Sequence, residues 1–447
     1  MKVAIIAPFY EYDDAYSLCG VVKNQLEMLV RNDIDVTLLV NKGFKAGGVF
    51  AQVELVEMPH VINENEFNGP AMPMEFDNCV DIMYEALKEA LKDIDICLTH
   101  DLILQNAYLV HHVAARRLAA ESKIWWLNWV HSASKPMYSG LVATERLSLN
   151  TPFNNSFIVY PNDGDIKRVA VNYGVSEDQV KVIPHPIDIY DYFGFDAAAI
   201  DLCERFKLLD SDILSIYPVR LDRGKQPHLI IEIFAALNAM GQNAKLLIVD
   251  FHSSGGDKVK YRSEMMAQIN QLGLTDKVHF VSSVYGGDSI ANNAIANLFS
   301  VSNVFFLTST SETYSLIAQE AAIAGNLLVL NYDFPPLRAI YGYAPYYFPF
   351  SSNINALTGE DGETTTKITN KQGFFQTIAR NVVHELSTNR ALSLRTHLRK
   401  TRNIQAVYDK YLGPLLHNCV YRLETKREIG PEQLPDLSFS CLVMRHG

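Results

Sequence analysis

Glu312 and Glu320 stand with seven residues between them in Ser311-Glu-Thr-Tyr-Ser-Leu-Ile-Ala-Gln-Glu-Ala-Ala-Ile-Ala-Gly325. An apolar run, 304–307, comes before them and helical spacing follows, so the chain should leave a strand and enter a helix here. Glu312 then falls in the turn and Glu320 two turns into the helix. The first turn of a helix carries unpaired N–H groups and the positive end of the dipole. The backbone from Thr313 through Tyr314 and Ser315 to Leu316 therefore suits a pyrophosphate or sugar hydroxyls. Glu320 suits the hydroxyls of a ribose. Read alone, the same residues also describe an amphipathic helix with two incidental glutamates.

Further residue types capable of chemistry follow other apolar runs. Arg220 and Lys225 lie in Pro218-Val-Arg-Leu-Asp-Arg-Gly-Lys225, past the run 213–219. His131 follows the run 124–128, and His100-Asp101 follow the run 95–99. Gly20, in Cys19-Gly-Val-Val22, follows the run 3–7. A charged turn is more often solvated than functional, and a lone histidine past a strand is more often structural. What gives these residues weight is that they recur at the same place in successive units.

Those units are short apolar runs alternating with helical patterns. The first half has runs at 3–7, 36–40, 95–99, 124–128 and 156–159. The second has runs at 213–219, 246–249, 278–281, 304–307 and 327–330. Such alternation is the mark of parallel βαβ units, and in open parallel sheets ligands bind beyond the carboxyl ends of the strands. Ile183-Pro-His-Pro186 cannot continue a helix, since each proline lacks an N–H and pushes its predecessor toward extended geometry. The expectation is an α/β protein of two Rossmann-like domains, 1–187 and 188–411, with an irregular linker at 188–201. The tail, about 412–447, is free to pack back on the first domain. Residues 353–371, polar and rich in Thr and Gly, read as a mobile loop. Helices are expected at 373–386 and 391–411.

Composition narrows the partners. The 447 residues carry a formal net charge of −11. Residues 1–200 hold 15 basic side chains against 27 acidic ones, and the remainder 24 against 23. An acidic half attracts neither a phosphate backbone nor anionic lipid. A DNA substrate would need a local basic track, for which Arg116, Arg117, Lys167 and Arg168 are the candidates. Six cysteines (Cys19, Cys79, Cys97, Cys203, Cys419, Cys441) show no C-x-x-C pairing and read as free thiols in a reducing compartment. The chain opens without a signal-peptide pattern, and no apolar run reaches the roughly 18–20 residues that span a bilayer. A cytoplasmic location is expected. No G-x-G-x-x-G follows the first run and no G-x-x-x-x-G-K-[ST] is present, which argues against dinucleotide redox and phosphate-loop enzymes. Asp33-Ile-Asp35 and Asp93-Ile-Asp95 precede their strands, which makes them poor metal ligands. No metal is expected.

The segment from Glu312 to Gly325, with Ser315-Leu316 and Glu320-Ala321, resembles the E-x7-E motif of retaining GT-B glycosyltransferases, closest to glycosyltransferase family 4. That family commonly has glycine where Ser315 stands. Residues 218–225 resemble its Arg-Leu-x-x-x-Lys element. Residues 19–22 resemble its glycine turn, with one glycine where two are common, and 182–188 its domain junction. The matches span about residues 1–340. The resemblance implies the GT-B fold, with the two domains facing a central cleft and the acceptor on the side of the first. It implies a nucleotide-sugar donor, UDP- or GDP-linked, with no other cofactor. Gly20, Arg220 and Lys225 would contact the diphosphate, the backbone of Thr313, Tyr314, Ser315 and Leu316 the sugar and phosphate, and Glu320 the ribose. Glu312 and His131 would be catalytic, with His100 and Asp101 on the acceptor side. The implied reaction is metal-independent transfer of a hexosyl or pentosyl group, with retention, to a hydroxyl of a glycan, small molecule or protein. A faint likeness of residues 19–23 and 162–165 to phage enzymes that glycosylate hydroxymethylated DNA bases adds DNA as a minor reading. The rivals are a GT-B epimerase or phosphorylase and a non-catalytic protein that binds a nucleotide or glycan.

Overall fold

The computed structural model describes the chain except residues 10, 14, 62–74, 137–148, 150–152, 252, 254, 287–288, 310–313, 349–353, 359–363, 369–370 and 430–447. It forms two compact units, Met1–Ile187 with Ile404–Gly447, and Asp188–Asn403. In the first, β1 (Lys2–Ile6), β2 (Asp35–Asn41), β3 (Glu54–Met58), β4 (Ile96–His100), β5 (Trp125–Trp129), β6 (Ser156–Tyr160) and β7 (Val180–Val182) form one sheet. Its order is β3-β2-β1-β4-β5-β6-β7 and every pairing is parallel. The central strands β4 and β5 are buried at every residue, as strands covered by helices on both faces must be.

The second unit repeats the plan. Its strands β8 (Ile213–Pro218), β9 (Ala244–Val249), β10 (Val278–Phe280), β11 (Val304–Leu307), β12 (Leu327–Asn331) and β13 (Tyr346–Phe348) run in the order β10-β9-β8-β11-β12-β13, all parallel. Both units are thus Rossmann-like α/β sheets. In each, the chain winds outward from a central strand and then jumps back to its other side. The reversal lies between β1 and β4 in the first sheet and between β8 and β11 in the second. At such a reversal the two flanking loops part and leave a crevice at the carboxyl ends.

Several expectations need correction. Residues 188–201 are not irregular: they form helices Ile189–Phe193 and Ala197–Arg205. The aspartates that suggested a loop are N-caps. Asp188 accepts from the amides of Tyr190 and Asp191, and Asp196 from that of Ala198. Residues 353–371 contain an antiparallel pair of strands, Ile354–Thr358 and Thr364–Ile368. Threonine is β-branched and fits extended chain, a preference that the polarity of the segment concealed. The helix expected over 391–411 stops at Arg402. From Ile404 onward the chain joins the first unit, eight residues before the expected start of the tail at 412. Ile404, Val407, Leu412, Leu416 and Cys419 are the cause, because they fill one core with Val3, Ile5, Leu26 and Leu127. The described cysteines carry no disulfide, and Cys19, Cys97, Cys203 and Cys419 are buried.

One core residue makes a pH prediction. His111 lies on the buried face of the helix Leu109–Glu121, and neither ring nitrogen has a hydrogen-bond partner among the described residues. Burial lowers its pKa from 6.5 to about 4. The neutral ring therefore favours the folded state above pH 6.5, and that contribution is lost as pH falls toward 4. At 1.36 kcal/mol per pKa unit, this amounts to about 3 kcal/mol. Urea unfolding at pH 7 and pH 4 should show His111→Phe losing about that much less stability than the wild type. Equal losses would contradict it.

Candidate functional site

The first sheet's reversal is furnished by the helix Ser17–Val30 after β1 and by the loops after β4 and β5. Gly20 sits in the first turn of that helix, not in a turn ahead of it as expected. A Cβ at Gly20 would meet no atom within 4 Å, so the space beside its backbone is open. His100 ends β4 and is buried. Its Nδ1 lies 3.1 Å from Nε2 of His131, and its Nε2 lies 2.9 Å from Oε1 of Gln25. With the Gln25 oxygen facing the ring, His100 donates from Nε2 and accepts at Nδ1, and His131 donates to it from Nε2. The Nδ1 of His131 is then left as a lone pair.

Asp101 fixes the other side of His131. It has φ of +51°, a left-handed conformation uncommon outside glycine. Its Oδ1 accepts from the His131 backbone N–H at 2.9 Å. His185 stacks on His131 with ring centroids 5.2 Å apart, and Asn24 Nδ2 holds the neighbouring Pro186 carbonyl at 3.0 Å. Burial lowers the pKa of all three histidines. His100 goes well below its usual value, with His131 and His185 adding to the effect. His185 falls to about 4. His131 is lowered by burial, and the Asp101 charge opposes this. These shifts favour the neutral imidazoles at neutral pH.

In the second unit, β8 leads into the turn Arg223–Lys225 and then the helix Pro227–Ala239. Arg220 donates from Nε to Asp222 Oδ2 at 2.6 Å, and Lys258 lies 3.7 Å from the other oxygen of Asp222. The Lys225 carbonyl accepts from Tyr217 Oη at 3.2 Å and from Thr308 Oγ1 at 3.0 Å. Thr308 follows β11 directly, so the loops on the two sides of the reversal are tied together. Gln226 closes the turn at φ +52°.

Beyond β11, Glu312 and Thr313 lie outside the described residues. Tyr314 is half-exposed, Ser315 is buried, and Leu316 begins the helix Leu316–Ile323. Ser315 stands at φ +62°, a conformation that costs a residue with a Cβ roughly 1 kcal/mol. This is the position where glycine was expected from the resemblance, and the backbone explains that preference. Glu320 is exposed on this helix.

Arg220 and Lys225 thus flank the reversal of the second sheet on one side, and Ser315, Leu316 and Glu320 on the other. Gly20, His100 and Asp101 flank that of the first, with His131 one strand further along. Sequence reasoning missed Gln25, His185 and Tyr341. Gln25 had a readable signal, since it lies three residues after Val22 and four before Leu29, on the apolar face of its helix. His185 had been read only as part of the junction.

Three of the four side chains named for a basic track have partners within the first unit. Arg116 bonds His112 and the Leu149 carbonyl, Arg117 pairs with Asp81, and Arg168 with Asp165. Among the described residues no helix is long and apolar enough to cross a membrane, and no three His, Cys, Asp or Glu side chains group as a metal site.

Two Rossmann-like sheets, each with polar groups at its reversal, define the class of fold used by nucleotide-dependent enzymes. Residues 204–342, within the second unit, match the family model described as glycosyl transferases group 1. No curated protein matches the sequence. Among solved structures, it is similar to a glycosyltransferase from Rickettsia africae at 13% identity, covering 96% of this chain and 99% of that one, with a TM-score of 0.34. It is also similar to Anabaena HepE in complex with UDP and glucose, at 14% identity, 95% and 100% coverage and a TM-score of 0.32. A third is sucrose-phosphate synthase from Thermosynechococcus elongatus, at 16%, 94% and 99%, and 0.34.

Proposed function

We propose that the protein is a retaining glycosyltransferase that takes a sugar from a UDP- or GDP-sugar to an acceptor hydroxyl without a metal. The observation that carries this reading is the position of the cations and the glutamate helix. Arg220 and Lys225 follow β8, and Ser315 to Glu320 follow β11, the two strands that border the reversal of the second sheet. An anionic diphosphate suits a helix N-terminus beside an arginine and a lysine. Glu320 receives the ribose. The cations neutralise charge as the nucleoside diphosphate leaves, which is where such a site gains most of its rate.

In the first unit we assign His131 to the reacting sugar. Its tautomer is held by Gln25 through His100, and its backbone by Asp101. Neutral imidazoles polarise a hydroxyl without adding positive charge near an oxocarbenium-like centre. Gly20 leaves open backbone for a phosphate oxygen. The acceptor class is assigned to a glycan, small molecule or protein hydroxyl, because the first half is acidic and Arg117 and Arg168 are each paired with an aspartate. The test is incubation with nucleotide sugars and a hydroxyl acceptor panel, with NMR of the product. An α-linked product from an α-linked donor supports retention. An inverted product, or epimerised donor with no acceptor consumed, would overturn this reading.

A further inference from the structure

We infer that the hydroxyl of Ser315 is a donor-phosphate ligand and a specificity determinant for diphosphates over monophosphates; this rests on the donor reading above. Ser315 combines two costs at one residue. Its backbone is left-handed, which glycine adopts freely and serine does not. Its side chain is buried, with only 8% of the residue exposed, and Oγ has no hydrogen-bond partner among the described residues. Buried hydroxyls are almost always bonded, so an orphan asks for an explanation.

The usual explanation for a serine before a helix does not apply. A capping serine has extended backbone, and its oxygen accepts from the amides of the first turn. Here the left-handed backbone removes that geometry, and no side-chain cap is made. The carbonyl of Ser315 is fully used, accepting from Tyr341 Oη at 3.1 Å and from the Ala318 amide at 3.2 Å. Tyr341 therefore holds the left-handed residue through its carbonyl, and the hydroxyl stays without a partner among the described residues. Glycine at this position would incur neither cost. Serine gains something there only when a ligand supplies the missing partner.

The chemistry of that partner follows from the surroundings. Ser315 immediately precedes the eight-residue helix Leu316–Ile323, whose first amides and dipole favour an anion. A hydroxyl donor added to that setting suits a phosphate oxygen. The phosphate concerned is the one beyond the nucleoside-linked phosphate, because Glu320, little more than one turn along, takes the ribose in that reading.

Calorimetric titration of UDP, GDP, UMP and GMP into the wild type, Ser315→Ala and Ser315→Gly tests this. Whichever diphosphate binds the wild type should bind both variants about tenfold or more weakly, as for loss of one hydrogen bond to a charged group. The matching monophosphate should bind all three alike. Ser315→Gly should also melt a few degrees above Ser315→Ala, because only glycine relieves the backbone. Diphosphate affinities equal across the three proteins would overturn the inference while leaving the donor site standing. Equal melting temperatures for the two variants would overturn its strain argument. Failure of UDP and GDP to bind the wild type would overturn the donor reading and the inference together.

Discussion

Replacing Glu312 by alanine is expected to lower kcat/KM for sugar transfer by about a hundred- to a thousandfold, the scale of removing one group that stabilises transition-state charge. The described residues on either side of 310–313 are anchored. On one side Thr308 Oγ1 bonds the carbonyls of Lys225 and Gln226, and the Ser309 carbonyl accepts from Asn331 Nδ2 at 3.4 Å. On the other, Tyr341 holds Ser315. A group that acts on charge developing in the transition state should show its removal in kcat as well as KM. The melting temperature, measured alongside, should stay within a degree or two of the wild type. Transfer at near wild-type rate in Glu312→Ala would contradict the assignment.

Arg220→Ala is expected to cost about a hundredfold in kcat/KM, mostly through weaker binding and leaving-group stabilisation of the diphosphate. Arg220 uses Nε on Asp222. Asp222 therefore sets the plane of the guanidinium, and the two Nη groups would form the fork for phosphate in the proposed site. Arg220→Lys should recover only part of the loss, because an ammonium supplies the charge without the bidentate geometry. Asp222→Asn should be milder than Arg220→Ala, since it loosens the arginine without removing it. Steady-state kinetics with the donor varied separates these cases. A kcat/KM for Arg220→Ala within threefold of the wild type would remove Arg220 from the site.

How much of this was legible beforehand depended on whether the signal was local. The central strands announced themselves because each is buried on both faces and reads as an apolar run. Edge strands such as Glu54–Met58 did not, since their exposed positions carry glutamates. The residues past β4, β5, β8 and β11 could be marked from their place after a strand. Their arrangement could not, because strand order is a long-range property, and the reversals at β1/β4 and β8/β11 are invisible in the linear chain. The aspartates at 188 and 196 misled for a physical reason, since the side chains that suit a loop are also those that cap helices. The neutral histidine stack depended on contacts over 31 and 75 residues of separation, and only the apolar placement of Gln25 hinted at it.

The central claim is that the second unit holds a nucleotide sugar through the helix after β11, and its most direct test is a donor screen by thermal shift with Glu320→Ala as control. Glu320 is exposed, so its removal leaves the fold intact. At donor concentrations near a hundred times Kd, binding adds about 2.7 kcal/mol, enough to raise the melting temperature by a few degrees. One nucleotide sugar, UDP- or GDP-linked, should stabilise the wild type and leave Glu320→Ala unmoved. Stabilisation of both proteins alike, or of neither by any donor, would contradict it.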